Sequence, residues 1–167
     1  MKTYGLVGYP LTQSFSQKFF TQKFEQEHID ARYLNFSIES IGEFPEILDD
    51  NEDLMGLNVT IPYKEKVMSF ISELDNIAQK VGAVNLIKVE QRKNKPYLIG
   101  SNSDTYGFEN SLKPFLKPHH THALILGTGG ASKAVKYVLK ELGITFKMVS
   151  RKPKSDWITY PDITPQL

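Results

Sequence analysis

The chain has 167 residues, of which 40% are hydrophobic and 11% aromatic; that is enough apolar surface for one or two small packed domains and too much for a disordered chain. A formal net charge of +1 supplies no long-range field for nucleic acid or an anionic membrane, and the absence of Cys excludes disulfides, thiolate catalysis and zinc–thiolate sites. The N-terminus lacks the long apolar stretch of a secretory leader, and no run approaches the roughly 20 apolar residues of a membrane span, so a cytoplasmic protein with no membrane and no nucleic-acid partner is expected.

Tyr4 to Gly8 reads as a short buried strand, followed by a loop over Tyr9-Pro10-Leu11-Thr12-Gln13. Ser16 is a candidate cap for a helix reaching Glu27, with Phe20 and Phe24 on one face. Arg32 to Ser37 alternates as a strand does, Glu39 to Leu48 reads as a helix whose start is limited by Pro45, and Leu54 to Val59 is a third strand. A short helix is expected after Pro62 and another from Asp75 to Val81. Ala83 to Lys88 and Tyr97 to Ile99 then suggest a hairpin around Arg92-Lys93-Asn94. Alternating strands and helices predict an α/β fold with an open, mostly parallel sheet.

The character changes near Ser101, which places a first domain at 1–103 and a second at 104–167. Asp104 to Leu116 reads as a connecting helix stopped by Pro118, and Ala123-Leu124-Ile125-Leu126-Gly127 as an apolar strand. Ala131, Ala134, Val135, Val138, Leu139 and Leu142 then recur as one helical face, which Gly143 ends. Thr145 to Val149 is the next strand, and Trp157 and Tyr160 fall in a tail that packs or hangs free. A doubly wound nucleotide domain uses about five or six parallel strands covered on both faces. Only two are evident here, so the second domain reads as an incomplete Rossmann-like nucleotide-binding domain.

Gly127-Thr128-Gly129-Gly130-Ala131 lies between that strand and the amphipathic helix. Glycines let a pyrophosphate approach the backbone amides, and the helix N-terminus adds unpaired N–H donors. Ser132 stands where G-x-G-x-x-G has its third Gly, and its small side chain still permits close helix–strand packing. A tight strand–helix turn without a ligand carries the same pattern. After the second strand, an acidic residue would favour NAD through the ribose hydroxyls. Ser150-Arg151-Lys152 stand there instead; a guanidinium can fork onto a 2′-phosphate, which favours NADP over a merely solvated basic loop.

Four polar clusters mark the first domain and its boundary: Ser14-Phe15-Ser16; Asn58-Val59-Thr60-Ile61-Pro62-Tyr63-Lys64; Gly82-Ala83-Val84-Asn85; and Ser101-Asn102-Ser103-Asp104. Each alone is an ordinary turn or cap. The first two follow strand ends, where open α/β sheets bind ligands. Asn58 and Thr60 are expected on one face. His119, His120 and His122 flank Pro118 and Thr121 without a carboxylate nearby in sequence, and no metal site is expected there.

In this order, the hydroxyl pair, N-V-T-x-P-x-K, G-A-V-N, N-x-D-x-x-G and G-x-G-G-A resemble the shikimate dehydrogenase family, over essentially the whole chain. The resemblance implies NADP-dependent reversible reduction of 3-dehydroshikimate to shikimate in aromatic amino-acid biosynthesis, by a monomer or homodimer. It further implies that Ser14 and Ser16 bind the substrate carboxylate and that Thr60, Asn85 and Asp104 hold ring oxygens. Lys64 is the implied catalytic residue, paired with Asp104. Gly127, Thr128, Gly129, Gly130, Ala131, Ser150, Arg151 and Lys152 form the implied cofactor site. Gln17, Ser103 and Ser150 stand where the family more often has Pro, Thr and Asn, and Asn76 stands where an acidic residue is common. The resemblance also implies a longer chain whose later helices return to the substrate domain, so these 167 residues alone are expected to bind shikimate weakly and turn over NADPH poorly. Two alternatives remain: a quinate/shikimate dehydrogenase using NAD, against which Arg151 argues, and a non-catalytic module binding a small acid or nucleotide.

Overall fold

The computed structural model describes every residue except Gln13, Asn94, Pro153, Ser155 and 165–167. Parts of the expected loop at Tyr9 to Gln13 and of the Arg92-Lys93-Asn94 turn, and the last three residues, therefore lie outside the described residues. Two compact units divide the chain, Met1–Asn102 and Ser103–Leu167.

The first unit is built on β1 (Lys2–Gly8), α1 (Phe15–Gln26), β2 (Ala31–Ser37), α2 (Phe44–Asp49), β3 (Leu54–Val59), β4 (Glu73–Leu74), α3 (Asn76–Val81), β5 (Leu86–Arg92) and β6 (Lys95–Ser101). Its six-stranded sheet runs β2-β1-β3-β5-β6-β4. The pairs β1–β2, β1–β3 and β4–β6 are parallel, while β5 runs antiparallel to both neighbours. The β5–β6 hairpin extends from Leu86↔Ser101 to Arg92↔Lys95. Arg92 sits 3.6 Å over the Tyr97 ring near its tip. The two-residue β4 is too short to leave a periodic signal in the sequence.

The helix expected from Ser16 starts earlier. Ser14 is its N-cap, with extended backbone (φ −71°, ψ 115°) and no side-chain cap bond. Ser16 lies inside the first turn. Glu39 to Leu48 is not one helix. A capping box joins Ser40 and Glu43, whose Oε1 accepts the Ser40 N–H at 2.7 Å, and closes a 3-10 turn at Ile41–Glu43. Pro45 then occupies the first turn of α2, where its missing N–H costs nothing. After Pro62 the chain makes turns and a 3-10 segment, Lys66–Phe70, rather than an α-helix.

The main core gathers Val7, Leu57, Val59 and Ile87 from the strands with Phe44 and Ile47 of α2, Val67, and Ala78 of α3. α1 packs through Phe20, stacked 4.7 Å from Tyr33, and Phe24, 5.8 Å from Tyr4. Full burial of a ring such as Phe44 contributes on the order of 2–3 kcal/mol.

The second unit comprises α4 (Asp104–Leu112), β7 (His122–Leu126), α5 (Gly130–Glu141), β8 (Thr145–Ser150) and β9 (Trp157–Thr159). α4 stops at Leu112, short of the expected Leu116, and a 3-10 turn at Lys113–Phe115 carries Pro114, which cannot extend an α-helix. α5 buries Ala134, Val138 and Leu139. Gly143, at φ +70°, follows its end. Ile125, Leu139, Ile144 and Met148 form a small core that Phe108 and Leu112 of α4 flank.

The expectation of two strands here is corrected: the sheet has three, in the order β7-β8-β9, all parallel. A parallel crossover ordinarily takes about a dozen residues or more, yet residues 151–156 suffice between β8 and β9. They do so because Trp157 pairs with Met148, so the chain retreats only two residues, or about 7 Å, before pairing again. The Trp157 N–H donates to the Lys154 carbonyl at 2.8 Å, closing the return. Trp157 packs against the small core, and Tyr160 opens a 3-10 turn. Among the described residues, no helix is long and apolar enough to cross a membrane.

Candidate substrate and nucleotide sites

Backbone hydrogen bonds draw the polar loops of the first unit together at the C-terminal ends of β1 and β3. The Thr60 N–H donates to the Val7 carbonyl (2.9 Å), and the Tyr9 N–H donates to that of Ile61 (3.0 Å), which binds the two loops edge to edge. Gly8 permits this approach: a Cβ there would run into Cγ2 of Thr60. The turn at 82–85 is tied in by Val84 N–H donating to Lys64 O (2.7 Å) and Val59 N–H donating to Asn85 O (2.9 Å). Asn102 secures the turn from the other side, its Nδ2 donating to Ala83 O at 2.8 Å.

Ser14, Ser16 and Thr60 line one cavity of about 340 Å³, with Leu6, Pro10 and Leu11 among its apolar walls. Oγ of Ser14 is buried there with no hydrogen-bond partner among the described residues. An unpartnered buried hydroxyl costs about 1–3 kcal/mol, a cost that a ligand carboxylate would relieve. The hydroxyl of Tyr33 donates to Oδ1 of Asn58 at 2.8 Å. Burial pushes the Tyr33 phenol up to about 12, with the Ser16 contact working the other way. Asn58 therefore does not share the role of Thr60. It sits within β3 and holds Tyr33, whereas Thr60 lies one residue beyond the strand end, where alternation no longer sets direction.

Lys64 is half-buried and Asn85 is 8% exposed. They meet through the backbone of the joined loops rather than on the walls of the Ser14 cavity. Asp104 opens α4 in the second unit, where a carboxylate suits the helix N-terminus. Gln17, which replaces the more usual Pro, accepts from Nδ2 of Asn35 at 3.0 Å and so ties α1 to β2.

In the second unit, Gly127, Thr128, Gly129, Ser150, Arg151 and Lys152 surround a cavity of about 690 Å³ at the ends of β7 and β8. The Gly127 N–H donates to the Val149 carbonyl at 2.9 Å, and its φ of +104° suits only Gly. A Cβ on Gly127 or Gly129 would meet no atom within 4 Å, so these glycines leave open space instead of easing tight packing. Such a floor at the start of a twelve-residue helix fits a dinucleotide pyrophosphate. Gly130 and Ala131 form the first turn of α5 and are not on the cavity wall. Ser132, in the third-glycine position, turns its hydroxyl back to donate to the Gly129 carbonyl at 2.7 Å. Tyr160 also lines the cavity, a residue the sequence reading had left in the tail. The signal available for it was the short β-prone run Trp157-Ile158-Thr159 leading into Tyr-Pro-Asp.

The first unit is thus an open α/β sheet with a polar cavity at its strand ends, and the second a parallel sheet with a glycine-floored strand–turn–helix. Residues 6–87 of the first unit match the family model described as the shikimate dehydrogenase substrate binding domain. The chain is similar over most of its length to the N-terminal region of shikimate dehydrogenases. An NADP(+)-dependent shikimate dehydrogenase of Dictyoglomus thermophilum is 41% identical over 143 residues, 85% of this chain and 50% of its own length. One from Pyrococcus abyssi is 38% identical over 145 residues, covering 85% of this chain and 52% of its own. The chain thus spans about half the length of these relatives. The crystal structure of shikimate dehydrogenase 1 from Peptoclostridium difficile superposes with a TM-score of 0.80 at 35% identity, over 95% of this chain and 60% of that one. The Thermus thermophilus enzyme, solved with NADP(H) and shikimate, gives a TM-score of 0.78 at 26% identity, over 96% of this chain and 63% of that one.

Proposed function

We propose that this chain serves the NADP-dependent, reversible reduction of 3-dehydroshikimate to shikimate, in a cytoplasmic monomer or homodimer. The observation that carries the reading is the convergence of Ser14, Ser16 and Thr60 on one cavity, with the Ser14 hydroxyl buried and unpartnered among the described residues, in a unit that matches the shikimate dehydrogenase substrate binding domain over residues 6–87. In this reading Ser14 and Ser16 donate to the substrate carboxylate, and Thr60, Asn85 and Asp104 hold ring oxygens. Gly127 to Ala131 and Ser150 to Lys152 hold the dinucleotide, with Arg151 on the 2′-phosphate.

Bound NADPH supplies the hydride. As negative charge builds on the substrate carbonyl oxygen, Lys64 donates a proton to it, and in the reverse direction Lys64 takes the proton from the hydroxyl. In this reading Asp104 is the acid–base partner of Lys64. A non-catalytic module would need hydrogen-bonding groups but no acid–base pair. In the active enzyme, Lys64→Ala is expected to lower kcat by about 10²–10⁴, while shikimate binding, followed by titration calorimetry, weakens only a few-fold. Wild-type kcat in that variant removes Lys64 from the reaction, and a wild-type protein that fails to bind shikimate removes the reading as a whole.

A further inference from the structure

The glycine turn and the basic loop account for a pyrophosphate and a 2′-phosphate, and the Arg151 guanidinium can stack on a purine, but neither segment offers an aromatic ring for the base. Tyr160 does. In an ordinary βαβ unit the second strand leads into a helix. Here the return over 151–156 is too short for one, and the chain re-enters the sheet as β9 directly beside β8. Thr159 pairs with Ser150. The residue that follows each strand, Arg151 after β8 and Tyr160 after β9, lines the cavity.

Two further observations separate Tyr160 from a packing residue. Its backbone is fixed by the capping box that follows β9, in which Asp162 Oδ2 accepts from the Thr159 N–H at 2.7 Å and from the Thr159 hydroxyl at 2.6 Å. Its side chain nonetheless remains 45% exposed while lining the cavity. Trp157, three residues earlier, packs on the apolar cluster instead. A ring held in place at the rim of a polar cavity, with a guanidinium just past the neighbouring strand and the glycine floor beyond it, matches the two ends of an adenosine 2′-phosphate: a flat base and a dianion.

We infer that Tyr160 is the adenine platform of this cavity, stacking the base of an adenosine 2′-phosphate moiety whose phosphate Arg151 holds. This rests on the NADP reading above. Stacking of a base on an aromatic side chain is tolerant of substituents on the ring and depends on the ring being present. In calorimetric titration of the full chain with adenosine 2′,5′-bisphosphate, Tyr160→Ala is expected to weaken binding about tenfold. Tyr160→Phe should stay within about twofold of wild type, since the platform is kept. The upfield ring-current shift of the adenine H2 and H8 protons on binding should persist in Tyr160→Phe and vanish in Tyr160→Ala, with Trp157 fluorescence unchanged in both. Wild-type affinity in Tyr160→Ala, alongside weakened binding in Arg151→Ala, overturns the inference and leaves the cofactor reading standing. Failure of the wild-type chain to bind the bisphosphate overturns the cofactor reading and this inference with it.

Discussion

The two units present cavity-lining loops at the ends of parallel strands, but they stabilise those loops by different means. In the first, the loops after β1 and β3 and the 82–85 turn are bonded to one another through the backbone, and Ala83, Val84 and Tyr63 are almost wholly buried beneath them. In the second, the cavity floor is glycine whose Cβ positions face open space, and its walls are exposed side chains. The cores differ in the same sense. The buried cluster of the first unit spans strands, helices and 3-10 turns, whereas that of the second is the smaller set Ile125, Leu139, Ile144 and Met148, with Ala134, Val138 and Val149 also buried in that unit. A site that reads the shape of a small polyhydroxy acid needs fixed walls. A site for pyrophosphate needs backbone amides that nothing obstructs.

The largest expected effect that tests this contrast is at Phe44, which is fully buried and lies 5.4 Å from Phe70. Phe44→Ala should destabilise the first unit by about 3–5 kcal/mol in urea denaturation. Leu139, 4% exposed in the smaller cluster, stands for the second unit. Leu139→Ala should cost about 2–3 kcal/mol, at the low end for such truncations, because fewer neighbours surround the vacated volume. The sole Trp, Trp157, lies in the second unit and reports that change by fluorescence. A cost at Leu139 equal to that at Phe44 would show the second core to be as well consolidated as the first. Amide hydrogen exchange addresses the same comparison without substitution: β1 and β3 should be protected well beyond β7 and β9, and uniform protection would remove the distinction.

Much of this contrast was legible in the residues. The apolar face from Ala131 to Leu142 places α5 within one residue of its observed limits, because a stripe at i, i+3 and i+4 survives whatever it packs against. The order of the polar motifs pointed to the ends of β1 and β3 for the same reason that Gly8 and Thr60 lie there: the sheet ends where they begin. What local sequence could not carry was pairing at a distance. The bonds from Tyr9 to Ile61 and from Val84 to Lys64 bring the first-unit loops together, and no spacing rule encodes them. Ser16 looked like a cap because it precedes an apolar run, but the extended backbone that a cap requires falls at Ser14. β9 escaped because three residues are too few for alternation to register, and with it went the position of Tyr160.

The smallest expected effects compare one carboxylate from each unit. Asp53 Oδ2 accepts from the hydroxyl of Thr3 at 2.7 Å, and the Arg32 Nε in turn donates to that hydroxyl at 2.7 Å. The Thr3 bond holds the Asp53 carboxyl below its usual range; partial burial opposes it and the charge of Arg32 assists. Asp162 is lowered chiefly by the Thr159 side chain and then by the Thr159 N–H. A carboxylate whose folded pKa lies below its unfolded value, near about 4, stabilises the fold above that pH and loses the contribution as pH falls through the folded value. Both units should therefore lose a little stability below about pH 4, each through its own carboxylate. Asp53→Asn should flatten the acid limb of the first unit, measured by exchange of β1 and β3 amides, and leave the Trp157 transition as it was. Asp162→Asn should do the reverse. Thr159 adjoins Tyr160 of the second-unit cavity, whereas Thr3 lies at the opposite end of β1 from the Ser14 cavity. If either substitution moved both limbs, the acid response would belong to the chain as a whole, and the contrast between a bonded site and an open one would have no counterpart in stability.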